Sequence, residues 1–187
     1  TRKISDQTWM GQNLDVSHFR NGDPIPEVNT DEEWEKAGLE RKPAWCYYEG
    51  SGEQGKTYGK LYNWYAVNDP RGLAPEGWRV STNSDWTILT SYLYTDVGNQ
   101  LKFNTGWNSN FFATNSSGFR GLPGGMRQNS YTIPPSGGYI YIGERGNWWN
   151  STEKNNQYAY SSFLGYDSSD VIYNSYPKTY GLSVRCV

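Results

Sequence analysis

The C-terminal third of the chain alternates apolar and polar residues at the spacing of β-strands. Predicted strands, separated by turn-forming residues, lie at 157–164, 170–176 and 180–187, with a further short one at Tyr139–Ile142. In the last run, alternation places Cys186 on the face that points to the core and Arg185 on the opposite face. This part of the chain is therefore predicted to be an antiparallel sheet.

The N-terminal half shows helical spacing instead. Short helices are predicted at 31–37, 58–68 and 83–94. Thr30 with Glu33 forms a capping box for the first helix, and Thr82 with Asp85 forms one for the third, which ends near Tyr94.

The stretch 103–138 is dominated by Asn, Ser, Gly and Pro, and it is too long for an ordinary loop. Together these patterns predict an α+β fold, with a few short helices beside a twisted, mostly antiparallel sheet and long irregular loops. Because no linker divides the chain, residues 1–187 are predicted to be a single domain.

Composition narrows the function classes. The net charge is −2, with 17 basic and 19 acidic residues in 187, which argues against a nucleic-acid partner. No apolar run approaches the ~20 residues of a membrane span. The 9 Trp and 16 Tyr predict a core of rings with hydrogen-bonded edges. Abundant Gly, Asn, Ser and Tyr, with little Lys and Ala, favour an extracellular protein. Thr1 is not a natural start, so we expect that an N-terminal signal was removed. The isolated domain is expected to be monomeric.

The chain has two cysteines, Cys46 and Cys186. Strand alternation turns Cys186 inward, and Cys46 lies among aromatic residues, so we expect a disulfide between them. The alternative is two buried free thiols, since unpaired cysteine is often a core residue.

Seven stretches, taken in order, resemble a known family. They are TWMGQNLDV at 8–16, WCYYE at 45–49, YGKLYNWYAV at 58–67, LAPEGWRVSTNSDW at 73–86, SGFRGLPGGMR at 117–127, NWWNSTE at 147–153 and YGLSVRCV at 180–187. In this combination the chain resembles the FISUMP family, the Fibrobacter succinogenes major paralogous domain, over essentially its whole length.

The resemblance implies a C-type-lectin-like fold, related in architecture to formylglycine-generating enzymes. In such a fold the terminal strand at 180–187 lies near an N-terminal strand at 8–14, so the termini are neighbours. It also implies a secreted or lipid-anchored bacterial surface protein. One departure is Ala74, where many relatives carry a cysteine, and this puts the usual disulfide pattern of the family in doubt.

A ligand-binding surface is predicted on the C-terminal sheet, because not every aromatic ring fits in the core. The candidate residues are Tyr158, Tyr160, Tyr166, Asp167, Tyr173 and Tyr176. Ring faces stack on C–H groups, while neighbouring amides and carboxylates bind hydroxyls, so a glycan or a surface protein is the expected partner. Cross-strand tyrosine pairs can also serve the sheet alone. The alternative site is the Asn/Ser-rich stretch 107–117.

Catalytic and metal sites have weaker support. His18 is the only histidine and lies in a polar stretch, so a catalytic triad or a zinc site is not expected. Glu144 and Glu153 flank the double tryptophan and could form a glycosidase-type carboxylate pair. An oxidase of the formylglycine-generating type would need a second cysteine near Cys186. No cofactor is expected, although a structural calcium ion in the Asn/Gly-rich middle stays open.

The function predicted from the sequence is therefore a bacterial surface or secreted module for binding or adhesion. The alternative is a structural domain of a larger surface protein with no ligand of its own. A carboxylate-based glycan-processing enzyme comes third.

Overall fold

The computed structural model of the protein describes residues 1–109, 112–129 and 138–187. The strands are β1 (Arg2–Ile4), β2 (Gln7–Trp9), β3 (Trp45–Cys46), β4 (Leu61–Tyr62), β5 (Gly124–Arg127), β6 (Tyr139–Ile142), β7 (Arg145–Glu153), β8 (Tyr158–Gly165), β9 (Val171–Pro177) and β10 (Ser183–Val184). The helices are α1 (Asp31–Leu39), α2 (Gly52–Tyr58), α3 (Trp64–Val67), α4 (Asn83–Leu93) and α5 (Val97–Leu101).

Six of these strands form one mixed sheet, in the order β6-β5-β7-β8-β9, with β10 also paired to β7. Strands β7, β8 and β9 are an antiparallel meander, whereas β5 and β10 run parallel to β7. The α+β class is thus confirmed. The C-type-lectin-like assignment stays a prediction.

The central strand β7 is buried on both faces of the sheet. Trp148 and Trp149 are consecutive in β7, so their indoles point to opposite sides, and both are fully buried. Trp148 packs against Trp86 of α4 and against Phe119, with ring centroids 5.6 and 5.7 Å away. Trp149 belongs to a second cluster, which includes Val184 of β10. Two cores, one on each side, therefore hold the sheet.

Two of the three predicted helices are confirmed by their capping residues. The Thr30 side chain accepts from the Glu33 amide at the start of α1. Thr82 and Asp85 form the capping box of α4, and Tyr94 is its C-cap, as predicted.

The single helix predicted at 58–68 is wrong. The segment holds the end of α2, the strand β4 and the one-turn helix α3. Gly59 ends α2 with a φ of 74°, a left-handed conformation that favours glycine. The apolar residues of this stretch have helical spacing although they belong to different elements, which pack into the same interior.

Most predicted strands of the C-terminal third are confirmed, since β6, β8 and β9 lie within one residue of the predicted runs. The run 180–187 is regular only at Ser183–Val184, and β3, β5 and β7 were not predicted. Arg185 was expected to face outward, but its side chain is fully buried because the core around Trp148 and Phe119 covers that face. Within the irregular middle, 110–111 and 130–137 lie outside the described residues.

The predicted closeness of the two ends is confirmed. The Met10 amide donates to the Cys186 carbonyl at 3.0 Å, and the Leu14 amide donates to the Val184 carbonyl at 2.9 Å. The N-terminal segment therefore lies beside the last residues of the chain. Among the described helices, none has the length and apolarity that a membrane crossing requires.

The expected disulfide is wrong, because Cys46 and Cys186 are both free thiols. Strand β3 has two residues whose side chains point to opposite sides. Trp45 faces the cluster that contains Cys186, and Cys46 faces a different cluster around Trp34. Both thiols are therefore buried, as alternation predicts, but they lie in two different core clusters.

Candidate functional site

The predicted site residues do not form one patch, because the pairing of β8 with β9 divides them. Tyr158, Tyr160 and Tyr173 share one face of the sheet, since antiparallel partners point to the same side. Tyr176 pairs with Ala159 and lies on the opposite face. Tyr166 lies, with Asp167, in the turn between the two strands.

The rings on the two faces already make contacts within the chain. The Tyr173 hydroxyl lies 2.8 Å from Thr90 Oγ1 on α4. Tyr176 stacks on Tyr180, with ring centroids 5.9 Å apart and planes at 22°. Burial raises the pKa of the Tyr176 hydroxyl. Tyr173 and Tyr176 therefore contribute to the packing of the sheet, although Tyr173 stays 43% exposed. Tyr158 is 39% exposed and lines a separate cavity of about 310 Å³. The turn holds Tyr166 and Asp167, and both are exposed.

A pocket of about 330 Å³ opens beside this turn, and we call it the turn pocket. Its lining residues are Asn99, Lys102, Ser109, Phe112, Tyr166, Asp167, Ser168 and Ser169. The pocket thus joins two of the predicted site residues, Tyr166 and Asp167, to the alternative stretch 107–117. Sequence reasoning treated these as separate candidates.

The turn pocket is built around a buried lysine. Lys102 follows α5 and is 3% exposed, and its Nζ donates to the Ser168 carbonyl at 2.5 Å. Nζ also donates to Asn99 Oδ1 at 3.5 Å. Burial lowers the pKa of Lys102, while the negative charge of Asp167 raises it. The lysine therefore fixes the turn and leaves a positive charge at the base of the pocket.

Close packing also fixes the turn against α5. The Gly98 amide donates to the Ser169 carbonyl at 2.6 Å, and a Cβ on Gly98 would lie 2.8 Å from that same residue. On the other side, Thr114 donates to the Asn99 carbonyl through both its amide and its hydroxyl. Helix α5 thus holds both walls of the pocket in place.

Two aromatic rings stand at the opening. Tyr166 is 40% exposed and Phe112 is 74% exposed, although both line the pocket. Sequence reasoning found Tyr166 but missed Lys102 and Asn99. The sequence carries no clear signal for the burial of Lys102, because α5 contains Asn99 and Gln100 beside its apolar residues Val97 and Leu101.

Comparison with known proteins identifies the family. The model of the Fibrobacter succinogenes major domain matches residues 3–187. The chain belongs to this family. Searches of the curated proteins and of the solved structures gave no significant match.

In this family member, the carboxylates considered for catalysis lie far apart. Glu144 precedes the first residue of β7, and Glu153 is its last. Nine strand residues span roughly 25–30 Å, whereas a glycosidase pair needs about 5–10 Å. Glu153 is instead bonded to the buried Lys178. These two acids cannot act on one bond.

The remaining residue types offer no clustered metal ligands where the chain is described. No three His, Cys, Asp or Glu side chains come together there in a way that could hold an ion. His18 is exposed, and its Nδ1 lies 3.1 Å from Ser17 Oγ. A calcium ion held by backbone carbonyls stays a prediction.

Proposed function

We propose that this domain is a surface binding module that takes a glycan at the turn pocket and carries out no chemistry on it. The observation that carries the proposal is the pair of exposed rings, Tyr166 and Phe112, at a pocket whose base holds Lys102 and Asn99. Exposed apolar side chains grouped at a concave surface often mark a ligand-binding site.

The chemistry of the lining suits a sugar. Flat ring faces pack on the C–H groups of a pyranose, and hydroxyl, amide and carboxylate groups exchange hydrogen bonds with sugar hydroxyls. Asp167 and Ser169 are exposed at the rim, where such contacts form without burying a charge. The fixed turn lowers the entropy cost of binding, because its backbone is already ordered.

A surface location agrees with this proposal, since the family resemblance and the Gly-, Asn- and Tyr-rich composition both favour an extracellular protein. A glycan-binding domain there would serve adhesion.

A second candidate is protein binding through β9. This strand is at one edge of the sheet, and its Ile172 and Tyr173 are exposed. Edge strands with exposed apolar side chains offer unpaired backbone groups to another chain. This candidate also covers the alternative of a structural domain that packs on its neighbours.

A glycan array with the isolated domain tests the first proposal. A hit is then titrated against the variants Tyr166→Ser and Phe112→Ser. Each ring contributes about 0.5–1.5 kcal/mol of stacking, so the double variant should bind at least about fivefold more weakly. Tyr94→Ser is the control, because Tyr94 is also an exposed ring but lies outside the pocket. Unchanged affinity in a folded double variant would move the site elsewhere, with a β9 substitution as the next test.

A further inference from the structure

A second, larger depression runs beside the N-terminal loop, on residues that the turn pocket does not use. Two cavities of about 640 and 300 Å³ share the lining residues 11–13, Asp15 and Arg120. We call the two together the loop groove. Its further lining includes Arg2, Met10, Trp78, Gly118, Lys56 and Phe103. The two cavities are therefore adjacent and share one wall, formed by the N-terminal loop and Arg120.

Two arginines at the groove have no acidic partner among the described residues. Arg2 and Arg120 are exposed, and neither forms an ion pair with any described residue. Arg120 stacks on Phe103 at 4.7 Å, which orders its guanidinium at the junction of the two cavities. The guanidinium groups thus keep hydrogen-bond donors available for a ligand.

The other charges of the loop groove are already paired. Asp15 accepts from the Lys60 ammonium at 2.6 Å, and Lys60 is buried over the Trp45 ring. Lys56 pairs with Glu53 at 2.5 Å. The charges within each pair cancel, so Arg2 and Arg120 determine the electrostatic potential at the surface of the groove.

A third arginine lies under the floor. Arg185 is fully buried, and it donates to the Met10 carbonyl at 2.9 Å, to the Phe119 carbonyl at 2.6 Å and to Asn13 Oδ1 at 2.7 Å. Met10 and Asn13 line the groove, and Phe119 lies between Gly118 and Arg120. The guanidinium keeps its proton at neutral pH despite its burial.

No described carboxylate compensates Arg185. Arg127, the other fully buried arginine, bonds instead to Asp31 at 3.0 Å. A buried cation without a counterion raises the potential of the surface above it, because the protein interior screens charge poorly. The floor of the loop groove is therefore electropositive in a protein whose net charge is −2.

We propose that the loop groove binds an acidic polysaccharide, with the guanidinium groups of Arg2 and Arg120 contacting its carboxylate or sulfate oxyanions. Arginine forms paired, planar hydrogen bonds to such groups. Arg185 contributes through its charge and through the position of Asn13. The inference goes beyond the turn pocket, and it stands whether or not that pocket binds a glycan.

Other polyanions fit less well. A nucleic acid would need a continuous basic track to release counterions, and the loop groove offers only two exposed, unpaired arginines. The indole of Trp78 and the amide of Gln12 add a ring face and a hydroxyl-binding group along the same groove. This mixture of ring, amide and guanidinium suits an acidic sugar chain.

Titration calorimetry at low salt with three polysaccharides tests the proposal: polygalacturonate for carboxylates, dextran sulfate for sulfate esters, and neutral dextran. Binding to at least one acidic polymer and not to neutral dextran is expected, and the tighter acidic polymer identifies the oxyanion. The affinity should fall as salt is raised.

The decisive variant is Arg2→Gln with Arg120→Gln, which leaves the buried Arg185 network intact. We expect its affinity for the acidic polymer to fall at least about tenfold, because two charge-assisted contacts are lost. Arg41→Gln is the matched control, since Arg41 is an exposed arginine outside the groove and carries the same charge.

Several results would overturn the proposal. They are equal binding of neutral dextran, no binding of either acidic polymer, tighter binding of polyglutamate than of both, or unchanged affinity in the double variant. The Tyr166→Ser and Phe112→Ser variants should leave this binding unchanged. The two sites are thereby tested separately.

Discussion

A single carboxylate at the start of α4 joins three parts of the chain, and its removal is the sharpest test of the fold. Asp85 accepts from Arg79 Nη1 and Nη2 at 2.5 and 2.7 Å, and from the Thr82 amide and hydroxyl at 2.7 Å each. It also accepts from Gln7 Nε2 at 3.0 Å. The carboxylate therefore caps α4 and ties the helix to the N-terminal strand.

Burial alone would raise the pKa of Asp85, but hydrogen bonds from Arg79 and Thr82 outweigh it. They lower the pKa from 3.8 to about 2. A shift of this size corresponds to about 2.4 kcal/mol of stability. Because Arg79 is 57% exposed, solvent screens part of its contribution, and we expect about 1.5–2 kcal/mol.

Asp85→Asn should therefore lower the free energy of unfolding by about 1.5–2 kcal/mol at pH 7, or the melting temperature by about 3–8 °C. The folded-state pKa is depressed, so the stabilisation is complete above the unfolded value near 4. It is lost as the pH falls toward 2. The difference between wild type and variant should shrink to about half at pH 3.

Urea unfolding followed by tryptophan fluorescence at pH 7 and pH 3 measures both values. Asp170→Asn is the control, because Asp170 is exposed in the chain and its loss should change stability by less than about 0.5 kcal/mol. The reasoning is refuted if Asp85→Asn costs no more than this control. It is equally refuted if its cost is the same at both pH values.

Two further predictions concern the core. Burial raises the pKa of Cys186 to about 12 and raises that of Cys46, so neither thiol should react in the native protein. Unfolding without reductant should expose two titratable thiols. If no thiol is titrated, the two cysteines form the disulfide after all. Gly55→Ala should cost about 1–3 kcal/mol, because its Cβ would lie 2.3 Å from the Tyr47 ring. Gly52→Ala has no atom within 4 Å of the new methyl group and should not destabilise the protein. Equal melting temperatures for the two glycine variants would contradict the packing.

Local signals in the sequence were sufficient to predict helix α4 and strands β8 and β9. The Thr82 and Asp85 capping box located α4, and alternation located β8 and β9. Strand β9 is at the edge of the sheet and is partly open to water. In these elements, local chemistry and final environment agree.

Prediction failed where long-range packing decides the structure. Strand β7 shows no alternation, because Asn147 and Asn150 are buried beside the two tryptophans and both faces of the strand are covered. The turn pocket depends on contacts between α5 and the turn after β8, far apart in sequence. Strand alternation predicts that the side chains of Tyr158 and Tyr160 lie on the same face of the sheet. It does not predict which face stays open to solvent.

Arg185 shows how the same interaction serves both the fold and the loop groove. Alternation correctly placed it opposite Cys186, yet a sheet with two covered faces has no outward side. Its guanidinium is satisfied by Asn13, whose Oδ1 also accepts from Trp148 Nε1 at 2.8 Å. This network links the last strand, the N-terminal loop and the aromatic core. Removing the guanidinium would leave the Met10 and Phe119 carbonyls without a hydrogen-bond donor. The bonds that hold the chain ends together thus also place a positive charge beneath the groove.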